Sequence, residues 1–546
     1  MKLASNKLLL AAAITALLAG CDSGGINIEP ETNDNSVDNS VTNPGSGGDE
    51  NNPCAVIESS GIQGSYNGTH CSYSTEFVSS ANPLVEDLYL PALPNEGAHI
   101  FEGSLFVGEN FDSDADLAAA GITEGGDGVA LEIQAGATVA FEDNTAFMVI
   151  NRGSQLFARG TESAPITFTS ESDVLGAVGA EDVSQWGGMV INGFGVTNKC
   201  AYEGNLDAGT LALKGECHIL AEGAAGDDQS NYGGANNEDS SGEMTYVRVK
   251  HTGAQVANGD ELNGIAFDAV GSGTIVKNLQ AYSTYDDGIE FFGGAVNVEN
   301  YVGLYVRDDS IDIDEGYRGT ITNALVIQSE TDGNHCIESD GIGSYNAGEA
   351  RNAEIISKGI NSRPVIDGLT CIVSPQAAGT HDPGAGWRMR EGIFPTITNS
   401  MIVASFIADE TTDPESIDNY CLRVESDETV AALEAGDAIL DANIFSCEEK
   451  FKGDMADLDT WAEANNNQFA DNAVNPTSTV ATQLQLLSGA PAIYTIDGLI
   501  VDDEATTVSP VERAYLGALS VSGVDWTQGW TYGLHQGSRA KPLWFE

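Results

Sequence analysis

The sequence is poor in positive charge. Of its 546 residues, 22 are Lys or Arg and 82 are Asp or Glu, so the formal net charge is −60. This charge repels phosphates and argues against nucleic acid as a partner. It favours cations as ligands, or a habitat rich in divalent ions. The apolar fraction of 41% still allows a large core, which argues against wholesale disorder.

Several motifs of catalysis and metal binding are missing. No GxSxG, HExxH, Walker loop or Rossmann fingerprint occurs in the context that such sites need. The cysteines form no CxxC or CxxCH motif, and no Cys/His cluster has the spacing of a zinc site. The sequence therefore gives no support to serine-hydrolase, nucleotide or zinc chemistry.

The N-terminus has the pattern of an export signal. Residues 1–20 contain Lys2 and Lys7 and then the apolar run Leu8–Leu18, which is too short and too rich in Ala for a membrane span. The run ends in Leu-Leu-Ala-Gly before Cys21, which resembles a bacterial lipobox. We therefore predict a lipoprotein signal peptide and lipidation of Cys21. The alternative is an ordinary signal peptide with a chance cysteine.

The segment that follows is predicted to be a tether. Residues 21–53 are rich in Asn, Asp, Ser, Gly and Glu and contain almost no large apolar side chains. Such a composition predicts a disordered acidic linker, with a random-coil reach of about 30 Å. Together with Cys21 it predicts a lipid-anchored protein of the cell envelope, on the outer membrane or the cell surface. The predicted membrane partner is reached through the acyl chains of Cys21.

Eight cysteines remain after Cys21, and an even number in an exported chain predicts disulfides. Pairing neighbours closes short loops, each worth roughly 2–4 kcal/mol. These pairs are Cys54–Cys71, Cys200–Cys217, Cys336–Cys371 and Cys421–Cys447. Other pairings remain open from the sequence.

The centre of the chain repeats itself about every 23 residues. Successive units begin near Leu262, Asp286, Asp308 and Asp332, and each contains short β-branched runs with Gly and Asp turns. A period in the twenties with several short strands per unit is typical of a solenoid. The LxxLxL frame of leucine-rich repeats is absent. The predicted fold is therefore all-β, a right-handed single-stranded parallel β-helix.

The rest of the chain divides around this solenoid. A β-helix needs covered ends, because open strand edges pair with other chains. A dense run of Gly, Asn and Asp predicts a long insertion loop, and Leu458 and Trp461 predict a short helix near the C-terminus. The predicted segments are an N-terminal cap at 54–95, the β-helix at 96–450 with its insertion at 200–243, and C-terminal coils and cap at 451–546.

Three upstream strings carry a family resemblance. They are GATVAF at 136–141, GSQLFARGTESAPITFTSE at 153–171 and WGGMVINGFG at 186–195. They resemble the early coils of bacterial secreted or lipoprotein parallel β-helices in the pectate-lyase-like superfamily. The resemblance extends over roughly 95–540. It implies the fold and export, and it implies no established reaction.

Aligning the central coils places acidic residues in columns. Ile265, Ile289, Ile311 and Ile337 share a column that should point inwards. The outward columns are Ala266, Glu290, Asp312 and Glu338, and then Asp268, Phe292, Asp314 and Asp340. The preceding turn holds Asn263, Asp287 and Asp309, and then Asp332 or Asn334. Coils stack about 4.8 Å apart, so these carboxylates should repel one another unless they gain protons or a counter-ion.

Oxygen ligands without thiols suit Ca²⁺. The predicted Ca²⁺ ligands, named the acidic ladder below, are Asp286, Asp287, Asp308 and Asp309, with Glu290 and Asp312. The alternative is a solvated acidic face. A weaker candidate is Asp112-Ser-Asp-Ala-Asp116, which imitates the start of an EF-hand but has Leu117 where that loop needs Gly.

The sequence leaves catalysis open and favours a non-catalytic role. The Gly-His-Gly of the polygalacturonase pattern is absent. The predicted function is a binding or adhesion module at the cell surface, with a polysaccharide or an outer-membrane protein as partner. One alternative is a polysaccharide lyase or glycoside hydrolase of the same fold, and the other is an accessory or structural component of an outer-membrane system. Tyr282, Tyr285, Tyr301 and Tyr305 are candidates for stacking on sugars if they are exposed.

Overall fold

A computed structural model describes most of the chain beyond the predicted tether. The described ranges are 52–223, 229–255, 262–374, 384–404, 420–447, 449–469, 500–501, 504–505, 508–519, 524–538 and 541–543. They all belong to one compact unit, Gly45–Glu546. The predicted signal peptide, the lipidation site Cys21 and the tether up to residue 51 lie outside the described residues.

One face of the molecule is a ten-stranded parallel sheet, here called sheet A. Its later strands alternate buried apolar side chains with outward polar ones, as in Ile311–Asp314, whereas the first strands are buried on both faces. In chain order they are Leu105–Val107, Met148–Ile150, Met189–Asn192, Ile265–Asp268, Ile289–Phe292, Ile311–Asp314, His335–Asp340, Ala385–Arg390, Tyr420–Val424 and Glu449–Gly453.

The other two faces form a second sheet of 18 strands, called sheet B. They are Ser65–Tyr66, Cys71–Tyr73, Leu88–Leu90, Ala98–Phe101, Ala130–Ile133, Thr138–Phe141, Gln155–Arg159, Ile166–Ser170, Gly242–Lys250, Ile275–Tyr282, Asn297–Leu304, Thr320–Ile327, Val365–Val373, Thr396–Thr398, Met401–Ala404, Ile439–Asp441, Ile444–Ser446 and Gln468–Phe469. All but the first pair with their neighbours in parallel, so the chain winds as the predicted parallel β-helix.

The long strands of sheet B turn a corner at one residue each. Asn278, Asn300 and Asn323 occupy this corner in successive coils with φ of 54°, 65° and 57°. Asn tolerates the left-handed region better than most residues. The Asn300 Nδ2 donates to Asn278 Oδ1 at 2.9 Å, and the Asn323 Nδ2 donates to Asn300 Oδ1 at 3.0 Å. This asparagine corner divides sheet B into its two faces.

The core lies inside the coils. Aromatic rings stack across successive coils, with Phe141 on Trp186 at 4.6 Å and Phe291 on Tyr317 at 4.1 Å between ring centroids. Ile265, Ile289, Ile311 and Ile337 are all fully buried, as their column predicts. Such aromatic stacks add about 0.5–1.5 kcal/mol beyond the area they bury.

Four disulfides brace the molecule, and they are the neighbour pairs. They are Cys54–Cys71, Cys200–Cys217, Cys336–Cys371 and Cys421–Cys447. Cys336 lies on sheet A and Cys371 on sheet B, so this bond crosses the core between two faces. The Cys200–Cys217 bond instead lies within the insertion.

Helices are few and short. They are the 3₁₀ turn Pro94–Glu96 and the α-helices Asp114–Ala120, Glu171–Val174, Ala350–Lys358, Asp427–Ala435 and Leu458–Ala464. The last of these is the helix predicted around Leu458 and Trp461. No helix in the described part of the chain is both long enough and apolar enough to cross a bilayer.

The predicted segments differ from the structure at both ends. Coils begin within 54–95, since Cys71–Tyr73 and Leu88–Leu90 already pair in parallel with later strands. Part of the C-terminal segment lies along the side of the coils. There Trp530, Leu534 and Leu516 pack against outward apolar residues of sheet B. Outward apolar side chains on a strand need such a cover, and periodicity alone does not show where the cover comes from.

The insertion consists of small hairpins that cover part of sheet A. Its strands are Tyr202–Glu203, Ala212–Leu213, Ile219–Leu220 and Asn231–Tyr232. Tyr232 and Ala221 pack on outward residues of sheet A such as Val149 and Val190. The early part of sheet A is therefore covered by the insertion.

Candidate functional site

The acidic ladder lies on two adjacent strands of sheet A and on the turns before them. Ile289 and Phe291 point into the core, so Glu290 between them must point out. The same alternation turns Asp312 out. Sheet A aligns Ala266, Glu290, Asp312 and Glu338 in one column, as the coil alignment predicts.

The turns before these strands stack through the side chains of Asp287 and Asp309. The Asn263 Oδ1 accepts from Asp287 N at 3.2 Å, and the Asp287 Oδ1 accepts from Asp309 N at 2.9 Å. The Asp309 Oδ1 then accepts from His335 N at 2.7 Å. Each side chain thus supplies an acceptor to the next coil, which fixes the two carboxylates in place.

The fourth member of this turn column is His335. The expected residues, Asp332 or Asn334, are wrong for this position. Asp312 pairs with Glu338, and counting back three residues on each strand aligns Asp309 with His335. The turn before the strand His335–Asp340 is longer than the turns before the two preceding strands of sheet A. Counting forward from Asp308 and Asp309 therefore places the wrong residue in the turn column.

The structure brings all six predicted ligands into groups that could hold an ion. Ligand atoms lie within 4.8 Å of one another in the group Asp286, Asp287 and Asp308, and likewise in the group Asp287, Glu290 and Asp312. A third group joins Asp309 to two residues outside the predicted ligands, His335 and Glu338. Asp287 belongs to the first two groups and links them.

The carboxylates of the ladder repel one another, and Asp287, Glu290 and Asp309 are buried while the other three are half-buried. Burial raises the pKa of Asp287 well above its usual value, and the charges of Asp312 and Asp286 raise it further. The pKa of Glu290 is raised by burial and then by Glu222. The pKa of Asp312 is raised by burial and then by Glu338. Without a counter-ion these groups favour their protonated forms.

Beyond the ladder, the same column becomes positively charged. Glu338 pairs in register with Arg388, and Arg388 with Arg423. Arg388 Nη1 lies 3.2 Å from Glu338 Oε2, and its Nε donates to Glu425 Oε2 at 2.8 Å. Arg390 pairs with both Glu338 and Asp340. The acids on this side are therefore neutralised by the protein itself.

His335 lies between the ladder residue Asp309 and Glu338, the carboxylate that pairs with the arginines. Its Nδ1 lies 2.8 Å from Asp309 Oδ1 and 3.2 Å from Glu338 Oε2, and its Nε2 lies 2.8 Å from the Tyr420 hydroxyl. Burial lowers its pKa to about 4, so the ring is neutral at pH 7. His335 was not among the predicted ligands, although this residue stands two positions before Ile337, where the turn column requires it.

Other candidates are placed differently. Ala266 and Asp268 face away from the core as predicted, but both are buried, and Asp268 lies close enough to Tyr232 of the insertion to raise the pKa of that phenol. Tyr282, Tyr301 and Tyr305 are buried and do not offer a face for sugar stacking. Tyr301 points into the core of the coils, whereas Tyr282 and Tyr305 are covered by the C-terminal segment, which is distant in sequence.

The EF-hand-like run forms the start of a helix. Ser113 caps the helix Asp114–Ala120, with its side chain accepting from Asp116 N. The carboxylate of Asp114 lies 3.1 Å from His218 Nε2. Asp112 is exposed at the edge of this turn.

Comparison with known proteins supports the fold. A family profile described as Pectate-lyase like beta helix domain matches residues 112–531. No curated protein and no solved structure gave a significant match. Because the profile spans more than half of the chain, the protein belongs to this pectate-lyase-like β-helix family. The match confirms the family resemblance seen in the early coils.

Proposed function

We propose that this member of the pectate-lyase-like β-helix family is a non-catalytic binding or adhesion module of the bacterial envelope, stabilised by Ca²⁺. The observation that carries the proposal is the acidic ladder, where carboxylates of adjacent coils are buried together. Burying a charge without compensation costs several kcal/mol. A divalent cation would offset the burial of Asp287, Glu290 and Asp312 at neutral pH.

The geometry of two groups suits one ion each. Ca²⁺ binds oxygen at 2.3–2.6 Å, so two ligands of one ion lie at most about 5 Å apart. In each of the two groups that contain Asp287, the ligand atoms lie within 4.8 Å of one another, which satisfies this limit. The group with His335 is less suited, because it offers a nitrogen ligand and Glu338 is already paired with Arg388 and Arg390.

Arg388 and Arg390, which pair with Glu338 beside the ladder, are poorly suited to lyase chemistry. A base needs a pKa lowered towards the working pH. The partners of Arg388 and Arg390 instead raise the pKa of each guanidinium above its usual value. The observation argues against these two arginines as the base of a lyase. A glycan array with a parallel assay for released reducing ends separates binding from cleavage, since product release would establish the rival enzyme function.

Ca²⁺ binding is tested by thermal unfolding of residues 45–546. The sample is stripped with chelator and titrated with Ca²⁺, with Mg²⁺ and with NaCl at matched ionic strength. We expect a saturable rise in Tm with Ca²⁺ that exceeds the effect of NaCl. The variant Asp287→Asn should abolish the rise, while the Asn oxygen still accepts from Asp309 N.

The matched control is Asp457→Asn, which removes the same charge at an exposed position outside every candidate group. It should keep the full response to Ca²⁺. Equal responses to Ca²⁺ and to NaCl in the unmodified chain would reduce the ladder to a solvated acidic face.

Anchoring is supported by the lipobox-like sequence before Cys21. We expect the full chain to fractionate with membranes in a bacterial host and to incorporate labelled palmitate. The variant Cys21→Ser should lose the label and move to the soluble fraction. A Cys21→Ser chain that remains in the membrane fraction would contradict lipid anchoring.

A further inference from the structure

A polar cavity lies between the insertion and the helix Ala350–Lys358. Its volume is about 320 Å³, at the lower end of the range for small-molecule sites. The insertion side is formed by residues 198–202 and by Lys214. The helix side is formed by Arg351, Glu354, Ile355, Lys358 and Ile360. This cavity is separate from the groups of the acidic ladder.

The cavity concentrates positive charge. Lys199, Lys214, Arg351 and Lys358 all line it, and the whole chain has only 22 Lys and Arg. Glu354 is the one acidic lining residue among those the structure describes. The lining is therefore net positive in a chain whose formal charge is −60.

The helix side presents its cations by simple spacing. Arg351, Glu354 and Lys358 follow one another at intervals of three and four residues, which places them on one face of the helix. Lys358 Nζ lies 2.6 Å from Glu354 Oε1 and also donates to Tyr202 O. Glu354 thus neutralises one charge of the four.

The remaining contacts leave N–H donors for a ligand. Arg351 donates to Gly343 O at 3.1 Å and to Asn198 O at 3.2 Å, both main-chain oxygens. A guanidinium has five N–H donors, so these two bonds do not exhaust it. Lys199 Nζ donates to Ser344 Oγ at 2.9 Å and lies 3.4 Å from Glu315 Oε1.

The insertion side is held in place covalently. The Cys200–Cys217 disulfide closes the segment that carries Lys214. The main-chain N–H of Lys214 donates to Ala201 O at 2.9 Å. The insertion is also tied to the helix side, because Leu206 N donates to Lys358 O at 2.8 Å and Asn205 Nδ2 donates to Ser357 O at 2.7 Å. The two sides of the cavity are therefore held together before any ligand arrives, which lowers the entropic cost of binding.

We infer that this cavity binds a phosphate or sulfate group of a small soluble ligand. The cations approach from two sides, so they suit a tetrahedral oxyanion with acceptors in several directions better than a planar carboxylate. Arg and Lys bind such oxyanions through charge-assisted hydrogen bonds. The acidic surface around the cavity repels nucleic acids and anionic membranes, which leaves a small ligand as the occupant.

The test is calorimetric titration of residues 45–546 with sodium phosphate and sodium sulfate, against NaCl at matched ionic strength. Glucose 6-phosphate and glucose 6-sulfate form a second arm. We expect saturable binding of the oxyanions and none of chloride. Equal affinity for the inorganic ion and the sugar ester would identify the free ion as the ligand, and tighter binding of the ester would identify the ester.

Variants locate the binding. Lys214→Gln and Arg351→Gln should each weaken binding by up to about fivefold, the order of one ion pair at a partly exposed site. Lys214 is exposed, so its variant keeps the test open if Arg351→Gln fails to fold. The matched control is Lys277→Gln, which removes the same charge from an exposed ion pair with Glu299 and should leave affinity unchanged.

Two results would overturn the inference. One is an absence of binding heat above that of NaCl. The other is equal affinity in Lys214→Gln and Lys277→Gln, because the effect would then come from net charge alone. Neither result bears on Ca²⁺ binding at the acidic ladder, which is measured separately.

Discussion

Asp268 shows how distant covering changes the state of a single residue. Its side chain is fully buried under the insertion, and neither carboxylate oxygen has a hydrogen-bond partner among the described residues. Its partner in register is Asn192, whose Oδ1 is also unpaired within the same described set. Burial raises the pKa of Asp268 well above its usual value, and Glu315 raises it further.

The variant Asp268→Asn should therefore stabilise the protein. An amide carries no charge, and its N–H can pair with Asn192 Oδ1. The folded pKa of Asp268 lies above the unfolded value of about 3.9, so its contribution to stability falls as pH rises past that value. We expect the variant to gain about 1–3 kcal/mol at pH 8 and much less at pH 4, measured by urea unfolding.

The control for this measurement is Asp112→Asn, which should change the free energy of unfolding little at either pH. A loss of stability in Asp268→Asn at pH 8 would mean that the carboxylate holds a partner that an amide cannot hold.

At the scale of the element, the asparagine corner sets the bend of sheet B. Asn300 accepts a hydrogen bond from Asn323 and donates one to Asn278. The residues recur at 278, 300 and 323 within short β-branched runs, so the sequence does contain this signal. Arg513 Nη2 also donates to Asn323 Oδ1 at 2.7 Å, which ties the C-terminal segment to the corner.

Substitutions at Asn300 should separate backbone strain from side-chain bonding. Asn300→Gly keeps a residue that accepts φ of 65° and removes two hydrogen bonds, each worth about 0.5–1.5 kcal/mol. Asn300→Ala removes the same bonds and adds left-handed strain of about 1–2 kcal/mol. We expect both variants to be destabilised in chemical unfolding, with Ala the worse. Equal stability of the Gly and Ala variants would show that the corner stores no strain.

The sequence predicts those elements that repeat locally. The isoleucine column and the outward column through Glu290 and Asp312 follow from period-2 alternation and the similar sequence at the start of each coil. His335 was not predicted because a longer turn precedes its strand. Counting forward from Asp308 and Asp309 therefore ends at Asp332 or Asn334 instead. The burial of Asp268 and of Tyr305 was not predicted, because the covering residues lie far away in sequence and do not change the repeat pattern.

At the scale of the whole molecule, the outward column of sheet A through Glu290 has negative residues in its earlier coils and positive residues in its later coils. The ladder end has carboxylates without an arginine in the column, and the next coils contribute Arg388 and Arg423. This order leaves the ladder end as the place where an added cation gains most. The single family profile over 112–531 spans the ladder and its neutralised neighbours alike.

The last prediction concerns the pH dependence of the whole metal-free protein. Burial raises the folded pKa of Asp287, Glu290, Asp309, Asp312 and Asp314, so the folded state binds more protons than the unfolded state above about pH 4. Stability should then fall as pH rises. His99 and His335, with pKa values lowered to about 4, have the opposite sign only below about pH 6.5. We therefore expect the urea midpoint in chelator to drop between pH 6.5 and pH 8, and saturating Ca²⁺ to reduce the drop. A midpoint in chelator that rises over this interval would show that the ladder is compensated without a bound cation.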